Sequence, residues 1–153
     1  SIFKKNLGKN SKFFSYPFGE YSSIFKEIVK ELNFDYAFGQ HSGVIDETKD
    51  FYELPRYPIN EKYGEINRFK TLMKTLPLKY EKVIPEDKYL LRSNNPPVVK
   101  IEFIKNNYNL KNINCFSNEG NKWRNSNISL NENILEIKIA EKFIGERGRI
   151  NCS

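Results

Sequence analysis

The sequence predicts an α/β fold in its first part and a small antiparallel β domain, of the sandwich type, in its last part. An apolar, aromatic run over residues 12–16 ends in Pro17-Phe18-Gly19, and an amphipathic helix comes directly after it. That order is typical of a strand, a tight turn and a helix. Beyond residues 93–97 the period of the apolar residues changes from about 3.6 to about 2, which indicates strands exposed on one face.

Helical spacing predicts three helices in the first part. Residues 1–7 have the pattern of a helix end, with Gly8 as its C-terminal cap. A second helix is predicted over residues 20–32, and a third over residues 65–76. The second helix carries one apolar stripe, which we expect to face the core: Tyr21, Ile24, Phe25, Ile28, Val29 and Leu32.

Extended segments are predicted next to these helices. Residues 34–38 are nearly continuous in apolar side chains, as expected of a strand covered on both faces. In the loop at residues 39–43, two glycines flank three polar residues at the carboxyl end of this strand, where parallel sheets carry their ligands. Residues 51–59 contain two prolines, so we expect an edge or closing segment there.

Residues 93–97, Ser-Asn-Asn-Pro-Pro, form the predicted domain boundary because they are polar, stiff and rich in turn formers. The first domain is therefore residues 1–92 and the second is residues 98–153. Apolar residues alternate with polar ones over residues 99–103 and again over residues 135–139. This alternation predicts the antiparallel β domain.

Composition argues against some classes of function. The 153 residues carry a formal net charge of +6, mostly as lysines spread among other residues, without a cluster of five basic residues or a nucleic-acid motif. We therefore expect no nucleic-acid partner.

No apolar run approaches the roughly 20 residues that span a bilayer, so no transmembrane segment is predicted. Because the chain begins with Ser1 and shows no leader pattern, we interpret it as a fragment or processed piece. Its oligomeric state is not determined by the sequence.

The two cysteines, Cys115 and Cys152, are too few and too far apart for a zinc motif. In an exported protein they can form a disulfide that closes the second domain. In a cytosolic protein they would be buried thiols. Both alternatives are open at the level of the sequence.

The run Tyr16-Pro17-Phe18-Gly19-Glu20-Tyr21 resembles the third motif of the polysaccharide deacetylase family, the NodB-homology domain of carbohydrate esterase family 4. Residues 40–45 (QHSGVI) and 54–60 (LPRYPIN) resemble the segments that come after this motif in one branch of that family, and residues 147–152 resemble an end-of-chain motif of the same branch. The resemblance covers residues 1–92. It implies that they are the C-terminal part of a (β/α) deacetylase barrel.

The resemblance implies a metal-dependent enzyme that hydrolyses the N-acetyl groups of an amino-sugar polymer. The family holds a divalent metal, here expected to be zinc, with one Asp and two His in motifs that precede the position of Pro17. This chain contains one histidine. We therefore expect the chain alone to bind no metal and to be inactive, because the metal-binding half is missing. The expected partner is an N-acetylated polysaccharide, and the expected location is the periplasm, the cell surface or the secreted fraction.

By resemblance, the backbone N–H of Phe18 helps to stabilise the oxyanion of the reaction. Many family members have an Arg, which orients the catalytic base, where this chain has Ser15; Arg56 is the candidate to replace it. His41 is the candidate general acid or substrate contact, although the family's final Leu-x-His motif is not present in its standard form. These three residues are the predicted catalytic set, and none is a metal ligand.

The predicted substrate-binding residues belong to the same turn. Aromatic faces can stack on sugar rings, although most aromatic residues at this density lie in a core. Trp123 in the second domain has the same two interpretations, of which the core anchor is favoured. The substrate-binding set is Tyr16, Pro17, Gly19 and Tyr21.

Three other functions remain open. The main alternative is a non-catalytic carbohydrate-binding or structural module. A basic nucleic-acid-binding protein would show a steep dependence of binding on salt. A glycosidase would use two carboxylates, for which Glu20, Asp46 and Glu47 are available, but their spacing does not single them out.

Overall fold

The computed structural model describes residues 2–104, 109–120 and 122–152. The chain divides into two compact units, Ser1–Leu78 and Lys79–Ser153. The predicted linker at residues 93–97 lies inside the second unit, between its first two strands. Among the described residues, no helix combines the length and the apolar character needed to cross a bilayer.

The first unit contains a pair of parallel strands connected by a helix. β1 and β2 pair in parallel, with Phe14 opposite Ala37, and Leu54 forms a parallel bridge with Phe38 on the far side of β2. Three chain segments therefore run in one direction and end at the same edge. The elements are α1 (Ile2–Leu7), β1 (Phe13–Ser15), a 3₁₀ turn (Pro17–Gly19), α2 (Ser23–Glu31), β2 (Tyr36–Phe38) and α3 (Ile66–Leu72).

Helix α2 begins after Ser22, whose side chain accepts a hydrogen bond from the N–H of Phe25 at 3.2 Å. The helix buries Val29 against Tyr16 and Ala37, which form the core of this unit. Asn33 comes after the helix with φ 60°, the left-handed conformation of a helix cap.

Only part of the apolar stripe of α2 lies in the core. Ile24 and Leu32 are 76% and 63% exposed, and Ile28 is 45% exposed. The prediction that the whole stripe faces the core is therefore wrong. The adjacent flank of the helix, with Phe25 and Val29, packs in the core of the unit, so these three side chains stay outside.

The expected portion of a (β/α) barrel is also wrong. Within residues 2–78, the extended structure consists of two three-residue strands and one bridge, which close no barrel. Most of the strands in the described residues belong to two small antiparallel sheets. Local apolar patterns predict single strands, but closure of a barrel depends on pairing between eight of them, which no local pattern specifies.

The second unit consists of two antiparallel sheets, with strand orders β3-β4-β8-β7 and β6-β5-β9. Its core draws residues from both sheets, including Phe103, Leu135 and Ile137 from the first and Cys115 from the second. Cys115 and Cys152 lie directly opposite each other on β5 and β9 and form a disulfide. The strands are β3 (Tyr80–Ile84), β4 (Val98–Phe103), β5 (Cys115–Glu119), β6 (Lys122–Asn125), β7 (Asn127–Asn131), β8 (Ile134–Lys138) and β9 (Arg149–Cys152).

Candidate functional site

The predicted site residues lie at the carboxyl edge of the three parallel segments in the first unit. Backbone hydrogen bonds hold the segments together there. The N–H of Tyr16 donates to the carbonyl of Phe38 at 3.1 Å, and the N–H of Gly39 donates to the carbonyl of Leu54 at 3.0 Å. The N–H of Arg56 donates to the carbonyl of His41 at 2.9 Å. The turn after β1, the loop after β2 and the segment at residues 54–56 therefore form one edge.

The turn after β1 holds Phe18 in an uncommon backbone conformation. Phe18 has φ 55° and ψ 7°, in the left-handed region that a bulky residue rarely adopts. Hydrogen bonds from Gly19 N to Tyr16 O at 2.8 Å and from Glu20 N to Pro17 O at 3.1 Å close the turn on both sides of it. Its side chain is 71% exposed. Backbone strain of this kind is often found at binding and catalytic sites.

Glycines allow the turn and the loop to approach each other closely. Gly19 has φ 73°, and a Cβ atom there would overlap the Cβ and the backbone N of Gln40. A Cβ atom at Gly39 would collide with Nδ1 of His41 and touch the ring of Tyr21. The His41 ring therefore lies over Gly39 beside Tyr21, within the same small area as the turn.

Arg56 connects the third segment to the first. Its Nη1 donates to Oγ of Ser15 at 3.2 Å, so the guanidinium lies at the end of β1. The same residue lines a groove of about 450 Å³, whose other walls are mostly apolar. The walls include Phe38, Val44, Ile45, Tyr57, Leu72 and Met73.

Tyr16 joins the turn to the core of the first unit. It is 2% exposed, and its hydroxyl donates to the carbonyl of Tyr52 at 2.9 Å. Its ring stacks on Tyr21 with a centroid distance of 4.6 Å. Burial, together with the negative charges of Asp50 and Glu53, raises the pKa of Tyr16 to about 12. Because it is buried, Tyr16 can act on a substrate only through the turn that it holds.

An ion pair between α2 and the segment that precedes Leu54 was not predicted from the sequence. Nζ of Lys26 lies 2.7 Å from Asp50 and 3.7 Å from Glu53. Burial opposes both charges and is the largest single influence on each, but the hydrogen bonds and the neighbouring opposite charges together outweigh it. The pKa of Lys26 is therefore raised and that of Asp50 is lowered. The pair joins α2 to the segment before Leu54. Lys26 and Asp50 are 24 positions apart, and no local pattern links them.

The described residues do not fit a metal centre. Among residues 2–104, 109–120 and 122–152, no three His, Cys, Asp or Glu side chains come together in a group that could hold a metal ion. We therefore derive no step of a reaction through a metal from this chain.

Asp46, a candidate for a glycosidase reaction, is engaged in a local turn. Its Oδ1 accepts a hydrogen bond from the N–H of Thr48 at 2.7 Å, and Lys49 lies 3.6 Å from Oδ2. Burial acts to raise the pKa of Asp46, but the bonds from Thr48 and the charge of Lys49 lower it below its ordinary value. A glycosidase acid requires a raised pKa, so this geometry does not favour that role.

No family model, no curated protein and no solved structure matches the chain.

Proposed function

We propose that this chain contributes the substrate-orienting edge of a polysaccharide deacetylase, an enzyme that removes acetyl groups from an amino-sugar polymer. One observation carries the proposal. The strained turn at Phe18, the loop at His41 and the guanidinium of Arg56 come from three separate segments and meet at one edge. These are the three residues to which the sequence resemblance assigns roles in the reaction.

The proposed reaction is hydrolysis of an amide. The oxygen of a water molecule adds to the acetyl carbonyl carbon, the C–N bond breaks, and acetate and a free amine are released. Negative charge develops on the carbonyl oxygen before the bond breaks. The backbone N–H of Phe18 donates to this oxygen, an interaction whose loss costs roughly 3 kcal/mol in comparable sites. His41 donates a proton to the departing amine.

Arg56 is proposed as a positioning residue. Its contact with Ser15 supports this role because Ser15 stands where the resembling family has an arginine. A guanidinium held at this point can orient a carboxylate base through two parallel hydrogen bonds. The base itself would come from a part of the protein outside these 153 residues.

The metal that the resemblance implies would also be bound outside this chain. For that reason we expect no deacetylase activity from the chain alone. We also propose that the protein is located outside the cytoplasm, in the periplasm, on the cell surface or in the secreted fraction. The Cys115–Cys152 disulfide supports that location, because disulfides persist in oxidising compartments.

The test compares two polypeptides: the 153-residue chain and the full product of its gene. Release of acetate from N-acetylglucosamine oligomers is measured with zinc present and after chelation. We expect zinc-dependent release by the full product and none by the chain alone. If the full product binds zinc and releases no acetate, the deacetylase proposal fails and the carbohydrate-binding alternative takes its place.

A further inference from the structure

The β6-β5-β9 sheet has one face in the core and one outside it. Cys115 and Ser117 of β5 are buried, and Ile150 and Cys152 of β9 pack with the same core. Because side chains alternate along a strand, the intervening residues of these strands point away from the core. Register places the outward residues of β6 beside those of β5.

Six residues therefore share the outer face in two rows. In one row, Asn118 of β5 lies between Trp123 of β6 and Arg149 of β9. In the other row, Phe116 lies between Asn125 and Asn151. The rows are roughly 7 Å apart along the strands, and the three strands span roughly 10 Å. We call this surface the amide face: Phe116, Asn118, Trp123, Asn125, Arg149 and Asn151.

Trp123 is the main apolar feature of the amide face. It is 58% exposed, so the expectation that it anchors the core is wrong. An exposed indole on a sheet offers a flat apolar surface with one N–H donor at its edge. Tryptophan is enriched at interfaces, because its ring is apolar while its N–H can form a hydrogen bond.

The polar part of the amide face consists of three carboxamides and one guanidinium. Each carboxamide both donates and accepts hydrogen bonds, as hydroxyl and acetamido groups also do. Within residues 2–104, 109–120 and 122–152, no protein hydrogen-bond partner is found for the side chains of Asn118, Asn125 and Asn151. None of the six residues is acidic, and Arg149 is positive.

We propose that the amide face binds a glycan that carries N-acetyl groups, in preference to the deacetylated form of the same glycan. The indole stacks on the apolar face of a sugar ring, and the carboxamides bind its hydroxyl and acetamido groups. A deacetylated glycan carries ammonium groups, which Arg149 repels and which no carboxylate of this face attracts. The choice of an N-acetylated glycan as the ligand rests on the proposed function. The shape and charge of the face are observed independently of that function.

A nucleic acid fits this face less well. Nucleic-acid surfaces neutralise several phosphates with clustered Lys and Arg residues. The amide face has a single cation among six residues. The observations therefore favour a glycan, and binding of nucleic acid becomes an outcome of the test.

The sequence contains one tryptophan, so tryptophan fluorescence reports directly on the amide face. The 153-residue chain is titrated with the N-acetylglucosamine hexamer, with the glucosamine hexamer and with a single-stranded oligonucleotide. We expect a saturable change in fluorescence with the first, and at least about tenfold weaker binding of the other two. Equal or tighter binding of the glucosamine hexamer or the oligonucleotide, or no binding of the acetylated hexamer, would overturn the proposal.

Variants separate this face from the site in the first unit. Isothermal titration should show at least about tenfold weaker binding for Trp123→Ala and near-normal binding for Trp123→Phe. Tyr89→Ala, which removes a 75% exposed aromatic elsewhere in the same unit, is the matched control and should bind normally. Arg149→Gln should reduce the preference for the acetylated hexamer.

Circular dichroism and the intact disulfide establish that each variant is folded. Unchanged binding in folded Trp123→Ala would overturn the proposal. The readout is binding by the chain itself, whereas the proposed function is tested by acetate release from the full gene product. Each proposal can therefore fail while the other stands.

Discussion

Nη1 of Arg56 lies 3.2 Å from Oγ of Ser15, although the two residues are 41 positions apart. The contact brings a guanidinium to the end of β1 from the segment that lies on the far side of β2. Beside it, the backbone N–H of Arg56 donates to the carbonyl of His41. One residue therefore links all three segments of the candidate site.

Arg56 is proposed to take the role of an arginine that the polysaccharide deacetylases have at the position of Ser15. If so, an arginine placed at residue 15 should substitute for Arg56. If the full-length protein is the proposed deacetylase, we expect Arg56→Ala to lower its kcat about a hundredfold, because a misplaced base reacts slowly. The double variant Ser15→Arg/Arg56→Ala should recover a large part of this loss. Arg68→Ala is the control. It removes a guanidinium from the same unit, but one that donates to the carbonyls of Pro58 and Tyr63 instead of to Ser15. Wild-type kcat in Arg56→Ala would contradict the role.

The His41→Gln variant tests the proposed proton donor. We expect kcat to fall by roughly 10²–10⁴ and the alkaline limb of its pH profile to disappear, because glutamine cannot protonate the departing amine. The stability of the protein should change little, since His41 is exposed. Ser42→Ala, a change at the exposed neighbour, serves as the comparison. A turnover number that survives in His41→Gln would remove His41 from the mechanism.

Two glycines with nearly the same φ angle provide a test of the close contact in the site. Gly8 has φ 71° with open space around it, whereas Gly19 has φ 73° and faces the backbone of Gln40. Gly8→Ala should cost about 1 kcal/mol from the left-handed conformation alone. Gly19→Ala should cost roughly 2 kcal/mol more, because the added methyl displaces the His41 loop. Urea denaturation of both variants measures the difference, and equal losses would show that the contact is unimportant.

Removal of the disulfide should destabilise the second unit. Cys115 and Cys152 are separated by 37 positions, so the closed loop restricts the unfolded chain. A loop of this size is expected to contribute on the order of 3–4 kcal/mol. Thermal unfolding of the Cys115→Ala/Cys152→Ala variant, compared with the oxidised protein, checks the value. A melting temperature unaffected by the change would mean that the bond adds no stability.

Tyr16 should make the first unit sensitive to alkali. Its pKa rises from 10.0 to about 12 on folding. Its contribution to the free energy of unfolding is therefore complete below pH 10 and is lost as the pH rises toward 12. Tyr16→Phe lacks this dependence. At neutral pH the variant should be about 1 kcal/mol less stable, because the hydrogen bond to Tyr52 O is lost.

Urea denaturation at about pH 8 and at about pH 11 separates these two effects, because only the wild type loses the contribution of this tyrosine between the two conditions. The variant should therefore approach the wild type in stability at the higher pH. A constant difference between the two proteins would mean that Tyr16 does not resist ionisation.

Much of the local structure could be predicted from the sequence. Pro17 and Gly19 mark the turn after β1, Gly8 and Asn33 adopt left-handed caps, and the helices at α1, α2 and α3 lie within or close to their predicted ranges. The predicted catalytic residues also lie at one edge, because each comes after a strand or bridge residue of segments that run in the same direction. Their chemical roles remain predictions.

Features that depend on distant residues could not be predicted in the same way. The core of the first unit covers only the flank of α2 that carries Val29, so Ile24 and Leu32 stay at the surface. The expected barrel came from the resemblance and not from any pattern of strand pairing. Trp123 is exposed because its register with Asn118 turns it away from the core.

The sequence by itself determined the turns, the caps and the apolar periodicity, because these depend on backbone sterics and on neighbours within a few positions. Only the tertiary structure decided which faces are buried and which side chains meet, as Arg56 and Ser15 do. The physical reason is that burial and pairing depend on contacts between segments tens of residues apart, and a short stretch of sequence carries no record of its distant partner.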